Sequence, residues 1–454
     1  MKGYMFWIAF VASLGGLLFG FDTAVISGAE KDIQAAFGLT DAPFWHGFTM
    51  ATALIGTIIG ALVCGKPAQK YGRLLSLKVI GVLYLISAVG SGIIEDWYLF
   101  MIFRFLGGLA VGASSVIGPM YIAEISPSSW RGRFVAFFQF NIVLGIVCAY
   151  VSNYFIGHYA TDALLHPWQW MIVSESAPAL LFSVLLFTVP ESPRWLVSQK
   201  RDGEAESVFE SVGEKDVEAE MTAIRESLHA ELNIKKERLF QKKFIKPILI
   251  AFLIATLNQL SGINAILYYA PRLLEQSGVL TGAFSDPMLQ SVIVGLTNLT
   301  FTMLGMSLID KLGRRTLIAI GAVGMVVAQG LVARGFYLGE FGGYTLLICV
   351  CAYVASFAIS LGATIWVVIA EVFPNSVRSG GQVFGSMTHW VWSATLTWIF
   401  PICVGTELVA GMSPSVMIFG FFSVIAALSL LFAWWLPETK GKSLEQIQKE
   451  LIKE

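Results

Sequence analysis

Phe6–Ala29, FWIAFVASLGGLLFGFDTAVISGA, decides how the rest of the chain is read. From Phe6 to Phe21 nearly every side chain is apolar or small, which suits a helix crossing roughly 30 Å of hydrocarbon with about 20 residues. Asp22 then interrupts the run. An aspartate at the centre of a membrane helix costs about 2.5 to 3.5 kcal/mol, so such a group normally faces a protein interior or a water-filled cavity. Two placements are open: Asp22 ends a short span among lipid headgroups, or it lies inside a longer span, because Thr23, Ala24, Val25 and Ile26 continue the apolar run.

The same character extends along all 454 residues. Hydrophobic residues make up 56% and charged residues 13%, with a mean hydropathy of +0.70, whereas a soluble domain carries about 25% charged residues. This predicts a polytopic membrane protein embedded in a lipid bilayer. A net charge of -1 provides no basic field to neutralise phosphates, so no nucleic-acid partner is expected. Cys64, Cys148, Cys349, Cys351 and Cys403 all fall in apolar stretches, without the paired spacing of a disulfide or zinc framework. They read as packing residues, and no metal or cofactor is expected. The start, Met1–Trp7, imitates a signal peptide, but no A-x-A site follows and many equally long apolar segments come later, so it reads as an uncleaved first span.

Runs of about 18 or more apolar residues give twelve predicted spans, beginning near Phe6, Phe44, Leu74, Trp97, Phe134, Trp168, Ile245, Met288, Thr316, Tyr344, Gly380 and Ser413. The loops after spans 2, 4, 8 and 10 hold Lys66, Lys70, Arg73, Arg131, Arg133, Lys311, Arg314, Arg315 and Arg378, while the opposite loops hold little beyond Lys31 and Arg334. By the positive-inside rule both termini are expected to be cytoplasmic. Glu95, Asp96, Asp286 and Glu407 then fall on the outer side.

The segment from Pro190 to Lys243 is dense in Glu, Lys and Arg, with Val208, Phe209, Val212, Met221, Ile224 and Leu228 at helix-like spacing. It is expected to form short amphipathic cytoplasmic helices. The expected organisation is a six-helix bundle over 1–189, a helical linker over 190–243, a second six-helix bundle over 244–436 and a cytoplasmic tail over 437–454.

The two halves repeat each other. Ala123-Glu124 followed by Arg131 recurs 247 residues later as Ala370-Glu371 followed by Arg378, and Pro190-Glu191-Ser192 recurs at the same interval as Pro437-Glu438-Thr439. Lys70-Tyr71-Gly72-Arg73 is answered 241 residues on by Lys311-Leu312-Gly313-Arg314. Parallel repeats in transporters are related by an axis along the membrane normal, with the substrate between them near the midplane.

Several motifs together carry a specific resemblance. They are GGLLFGFDTAVISG (Gly15–Gly28), RFLGGLAVG (Arg104–Gly112), PMYIAEISPSSWRGR (Pro119–Arg133), PESPRWL (Pro190–Leu196), NQLSGINAILYYAP (Asn258–Pro271), IDKLGRR (Ile309–Arg315), AEVFPNSVR (Ala370–Arg378) and PETKGKSLEQI (Pro437–Ile447). The chain resembles the sugar porters of the major facilitator superfamily over essentially its whole length, in particular bacterial proton-linked monosaccharide symporters, with a relation to animal glucose facilitators. The resemblance implies a monomeric carrier in the bacterial cytoplasmic membrane, importing a hexose, pentose or related polyol with protons by alternating access. A uniporter and a membrane sugar sensor are the alternatives. An enzyme is not expected, since no P-loop or G-x-S-x-G elbow is present.

Charged residues at helix ends allow Glu124 to pair with Arg131, Glu371 with Arg378, Asp310 with Arg314 and Glu191 with Arg194. The resemblance gives these residues and Arg133 the role of a conformational latch at the cytoplasmic mouth. The first half departs from the family pattern, with Gln69 and Leu74 where an acid and a second basic residue are usual.

A sugar needs side chains that both donate and accept hydrogen bonds, as amides do, and a flat aromatic for its ring face. Asn258, Gln259 and Asn264 supply amides, and they share a face only if the helix is broken, which Gly262 permits. The resemblance adds Asn298, Trp366, His389 and Trp390 as sugar-contact positions, with interhelical hydrogen bonding as the other reading of the polar ones. Ile146 and His389 stand where the family usually has glutamine. For proton coupling the resemblance points to Asp22, to Arg104 as its partner, and to Glu175 as a further membrane acid.

Overall fold

The computed structural model of the chain describes all residues except 1, 128–129, 162–163, 215, 234–236, 276–284, 340, 342–343, 406–412, 443–445, 448–450 and 452–454. Glu407 and part of the Pro437–Ile447 motif therefore lie outside the described residues. The fold is all-α. The first six spans are built from α1 (Lys2–Ala36), α2 (Pro43–Val63), the short α3 (Gly65–Tyr71), α4 (Arg73–Ile93), α5 (Trp97–Ile125), α6 (Arg131–Tyr159) and the pair α7 (Pro167–Val173) and α8 (Ser176–Leu185). Three short helices follow, α9 (Pro193–Ser198), α10 (Asp202–Val212) and α11 (Val217–Asn233). The last six spans are α12 (Ile245–Leu260) with α13 (Ile263–Tyr268) and α14 (Ala270–Glu275), then α15 (Pro287–Leu312), α16 (Arg314–Leu338), α17 (Thr345–Phe357) with α18 (Ala363–Glu371), α19 (Arg378–Gly405) and α20 (Pro414–Trp435).

Local chemistry sets these boundaries. Asp96 accepts the Leu99 N–H at the start of α5, and Asp286 accepts the Met288 N–H at the start of α15, where Pro287 occupies a first-turn position whose N–H has no helical partner. Among the described residues, ten helices are long and apolar enough to cross a membrane. The other two spans expected from sequence have physical reasons for falling outside that group. The sixth is split at Ser174-Glu175 into α7 and α8, and the eleventh, α19, is 28 residues long but rich in Gly, Ser, Thr and Trp.

The chain divides into two compact units. One comprises Met1–Val25, Thr52–Ala149 and Ala160–Lys235; the other comprises Ile26–Ala51, Tyr150–Tyr159 and Lys236–Glu454. In the first unit α2 and α5 meet along glycines: a side chain at Gly56 or Gly60 would strike the Phe105 or Leu109 carbonyl, and one at Gly108 or Gly112 would strike that of Ala53 or Thr57. Small residues four apart let membrane helices approach backbone to backbone. Val208, Phe209, Val212 and Met221 of α10 and α11 are buried in the same core as Tyr84, Tyr121 and Phe182, with Ile224 and Leu228 packed at its edge, as the amphipathic spacing predicts. In the second unit Tyr268, Tyr353, Phe419 and Phe422 are among the fully or nearly fully buried side chains.

The outer faces are inverted relative to a soluble protein. Val79, Val82, Ile86, Val89 and Ile93 form an exposed stripe on α4, and Ile320, Val323, Val327 and Leu331 do so on α16. Three- and four-residue spacing places each set on one helical face, and an apolar stripe of that length suits a lipid-facing surface.

Candidate functional site

Asp22 lies well inside α1, not at its end, and both it and Arg104 of α5 are buried. The Arg104 Nη1 donates to Asp22 Oδ1 at 2.6 Å. One turn beyond Arg104, Gly107 leaves room for the Ser87 hydroxyl of α4. Glu175 occupies the interruption between α7 and α8, is buried, and its carboxyl interacts with both Asp22 and Arg104. Its Oε2 has no hydrogen-bond partner. Two carboxyls and one guanidinium are thus gathered in the first unit, and that set is electrically neutral only when one proton is bound.

The amides expected to bind sugar meet in the second unit. Gly262 adopts φ +97 between α12 and α13, a left-handed conformation that favours glycine. In a straight helix residues five apart point about 140° away from each other, yet across this break Asn264 Nδ2 donates to Gln259 Oε1 at 2.8 Å. The amide orientations follow from an acceptor that cannot flip. The five-residue π-turn Ala358–Gly362 between α17 and α18 presents the Leu361 carbonyl, which accepts from Asn258 Nδ2 at 3.1 Å. Asn258 Oδ1 therefore accepts from Gln259 Nε2 at 2.9 Å, and that same Nε2 lies 3.2 Å from the His389 ring nitrogens. A donor facing the ring requires an imidazole nitrogen acting as acceptor.

Trp366 packs on His389 with ring centroids 4.9 Å apart and is itself 38% exposed, which leaves part of the indole open. Trp390 is buried and meets His389 edge-on at 5.0 Å. Asn298 on α15 is buried and accepts from Thr302 at 3.4 Å; among the described residues no hydrogen bond joins it to the other amides. Ser393, buried on α19, takes the second hydrogen bond of Asn264. Sequence reasoning missed this serine because one hydroxyl in an apolar span carries no distinguishing pattern. Ile146 is buried on α6.

The helix-end charges form two copies of one arrangement, in which Asp310 pairs with Arg314 as expected while Glu124 and Glu371 are gripped by Arg73 and Arg314. In the first unit Arg73 grips Glu124 through two bonds of 2.8 Å, Ser192 donates to Glu124 at 2.6 Å, and Glu191 accepts the backbone N–H groups of Arg73 and Leu74 at 2.9 and 3.1 Å. In the second, Arg314 donates to Glu371 at 2.9 Å, Thr439 donates to Glu371 at 2.7 Å, and Glu438 accepts the N–H groups of Arg314 and Arg315 at 3.2 and 3.1 Å. Asp310 adds a bond to Arg314 at 3.1 Å.

Gly72 and Gly313, at φ +98 and +88, precede each arginine, and a side chain at either would run into the glutamate beneath it. Arg73 and Arg314 are thus the partners of Glu124 and Glu371, because each starts a helix beside the C-terminal end of the helix carrying the acid. Arg131 is exposed, Arg133 lies over Trp130 at 4.8 Å, Arg378 donates to the Phe373 carbonyl at 3.3 Å, and Arg194 is half-buried at the start of α9. Leu74 meets Glu191 through its N–H, and the Gln69 carbonyl accepts from Trp195 at 2.8 Å, so at both positions the bonds run through the backbone. Burial raises the pKa of Glu191 above the usual carboxylate range, and the N–H groups of Ser192, Leu74 and Arg73 pull it back.

A further ionic group was not anticipated. In the second unit buried Glu30, on the last turns of α1, receives on one oxygen both Arg272 Nη1 of α14 at 2.5 Å and His46 Nε2 of α2 at 2.6 Å. Arg272 also reaches Gln34 at 3.2 Å. A cavity of about 380 Å³ borders Arg272 and is lined by Gln34, Asp41, Tyr269 and Phe400. The three ionic residues stand alone in three separate segments; the only available signal is that the α1 helix continues beyond Ala29.

Comparison with known proteins adds independent information. A family profile described as "Sugar (and other) transporter" matches residues 8–451. The chain is 38% identical to the D-xylose-proton symporter of Escherichia coli (strain K12), over 98% of this chain and 96% of that protein. It is 33% identical to the arabinose-proton symporter of Bacillus subtilis (strain 168), over 99% and 96%. Among solved structures, the inward open conformation of the xylose transporter from E. coli matches with a TM-score of 0.86 at 36% identity, covering 99% of this chain and 100% of that one.

Proposed function

The chain belongs to the family of sugar (and other) transporters, and from that premise we propose that it imports a monosaccharide together with protons by alternating access. It is a multi-pass bacterial membrane protein and a carrier, not an enzyme. The observation that carries the coupled reading is the buried set of Asp22, Arg104 and Glu175. An uncompensated buried charge costs several kcal/mol, so proton binding and release there change which arrangement of the helices is favoured. Deprotonated, Asp22 holds Arg104; protonated, it gives up the attraction and frees α5 from α1. The names of relatives that move D-xylose and arabinose with protons support the same reading.

Recognition falls to Gln259, Asn258, Asn264 and His389, with Trp366 beneath the sugar ring and Asn298 and Trp390 as flanking contacts. A site built to hydrogen-bond hydroxyls rejects analogues that lack them, and Ile146 and His389 in place of amides shift the preference among hexoses, pentoses and polyols. The glutamate–arginine clusters of both halves act as the conformational latch, stable in one state and broken in the other. The chain works as a monomer of two six-helix bundles, 1–189 and 244–436, with the linker 190–243, the tail 437–454 and both termini on the cytoplasmic side.

The test is uptake into proteoliposomes of D-xylose, L-arabinose, D-glucose, D-galactose, D-fructose and inositol, with and without a pH gradient. One pH unit is worth about 1.4 kcal/mol per proton, so one-to-one coupling sustains about a tenfold sugar gradient. Equilibration without accumulation would identify a uniporter, and no movement of any of the six would remove the sugar reading.

A further inference from the structure

The break at Gly262 has a second set of residues attached to it. The carbonyl of Ser261, directly before the break, accepts from Gln329 Nε2 of α16 at 2.7 Å and from the Tyr353 hydroxyl of α17 at 3.0 Å. Both its lone pairs are therefore filled from neighbouring helices, and the Ser261 hydroxyl is tied to the Asn258 carbonyl at 2.7 Å. Gln329 is fully buried, and its Oε1 has no partner. Such an amide leaves its own oxygen unpaired while its N–H meets the carbonyl, and an apolar side chain would fill the space without that penalty.

We propose that Gln329 and Tyr353 are positioning residues for sugar recognition: by fixing the Ser261 carbonyl they hold the break in the geometry that lets Gln259 and Asn264 act together. Their hydrogen bonds go to Ser261 and not to the amide side chains. Asn258 and Gln259 lie three and two residues before the held carbonyl and Asn264 three after it, so rotation of this one peptide moves both arms of the site relative to each other. Phe422 closes the other side, where a side chain at position 262 would strike its ring. The proposal rests on the sugar-transport reading.

Gln329→Met keeps length and removes the donor, and Tyr353→Phe removes a single oxygen. Initial rates of pH-gradient-driven D-xylose and D-glucose uptake are measured against sugar concentration in proteoliposomes, with the amount of inserted protein determined for each variant. Loss of one neutral hydrogen bond to the positioning network raises the sugar KM roughly 3- to 10-fold while Vmax per inserted protein stays within about twofold. A residue that only supports folding would lower the amount inserted and leave KM unchanged, and that result overturns the proposal. Tyr353→Phe decides the matter alone if Gln329→Met does not insert. Wild-type protein that carries none of the six sugars of the panel would overturn the transport reading and this inference with it, and if another of the six is the one carried it replaces the two probes, whereas wild-type transport with unchanged KM in the variants overturns the positioning role only.

Discussion

Asp22 is held by Arg104 at 2.6 Å, and Glu175 shares the same buried space. Counting charges shows what each substitution does. Asp22→Asn leaves one carboxyl and one guanidinium, a neutral set that no longer needs a proton. Sugar accumulation driven by a pH gradient is expected to fall to background in this variant, with counterflow exchange of sugar retained; uphill accumulation equal to wild type would remove Asp22 from coupling. The sequence singled out Asp22 because an acid in an apolar run requires a partner, and the family resemblance supplied Arg104 as that partner. It could not show that Glu175 sits at a helix interruption, since Ser174 and Glu175 lie within an otherwise unbroken apolar pattern.

At the scale of the element, helix ends and breaks hold most of the polar chemistry. Gly262 was readable as a break because the amides around it are five apart and need one to meet. The π-turn at Ala358–Gly362 left no comparable trace, yet its Leu361 carbonyl fixes the amide chain. Long-range partners were equally hidden: Arg73 and Glu124 are 51 residues apart, and local spacing favoured Arg131.

Two predictions belong here. Gly72→Ala places a side chain in a backbone region that strains any other residue by about 1–3 kcal/mol and pushes into Glu191; it is expected to lower the unfolding midpoint in detergent. For Glu30 and Arg272, Arg272→Met leaves a buried carboxylate hydrogen-bonded to His46. A double-mutant cycle with Glu30→Gln, read by thermal unfolding, is expected to give a coupling of about 1–3 kcal/mol, since Arg272 is partly exposed and its pairing is screened. A coupling near zero would show that α1 is not tied to α14 by this pair.

Across the whole molecule the legible features were those with a period. Ten of the twelve apolar runs, the exposed stripes that answer to lipid, and a repeat of 247 residues all survive translation into three dimensions because each is a pattern over many residues. Features made by single residues from distant segments, such as Ser393 or the Glu30 group, were not legible, because nothing in one dimension marks their meeting. The repeat also runs deeper than the motifs that revealed it. Each copy sets an arginine after a glycine of positive φ, one glutamate under that turn, a second glutamate on the guanidinium, and a hydroxyl from Ser192 or Thr439 completing the group.

That duplication gives the polypeptide its own reference standard. A lesion such as Glu191→Gln can be paired with the same lesion, Glu438→Gln, in a molecule whose lipid, expression level and sugar are identical. Whatever both changes do in common reports the joint itself; whatever differs reports how the two copies depart from one another.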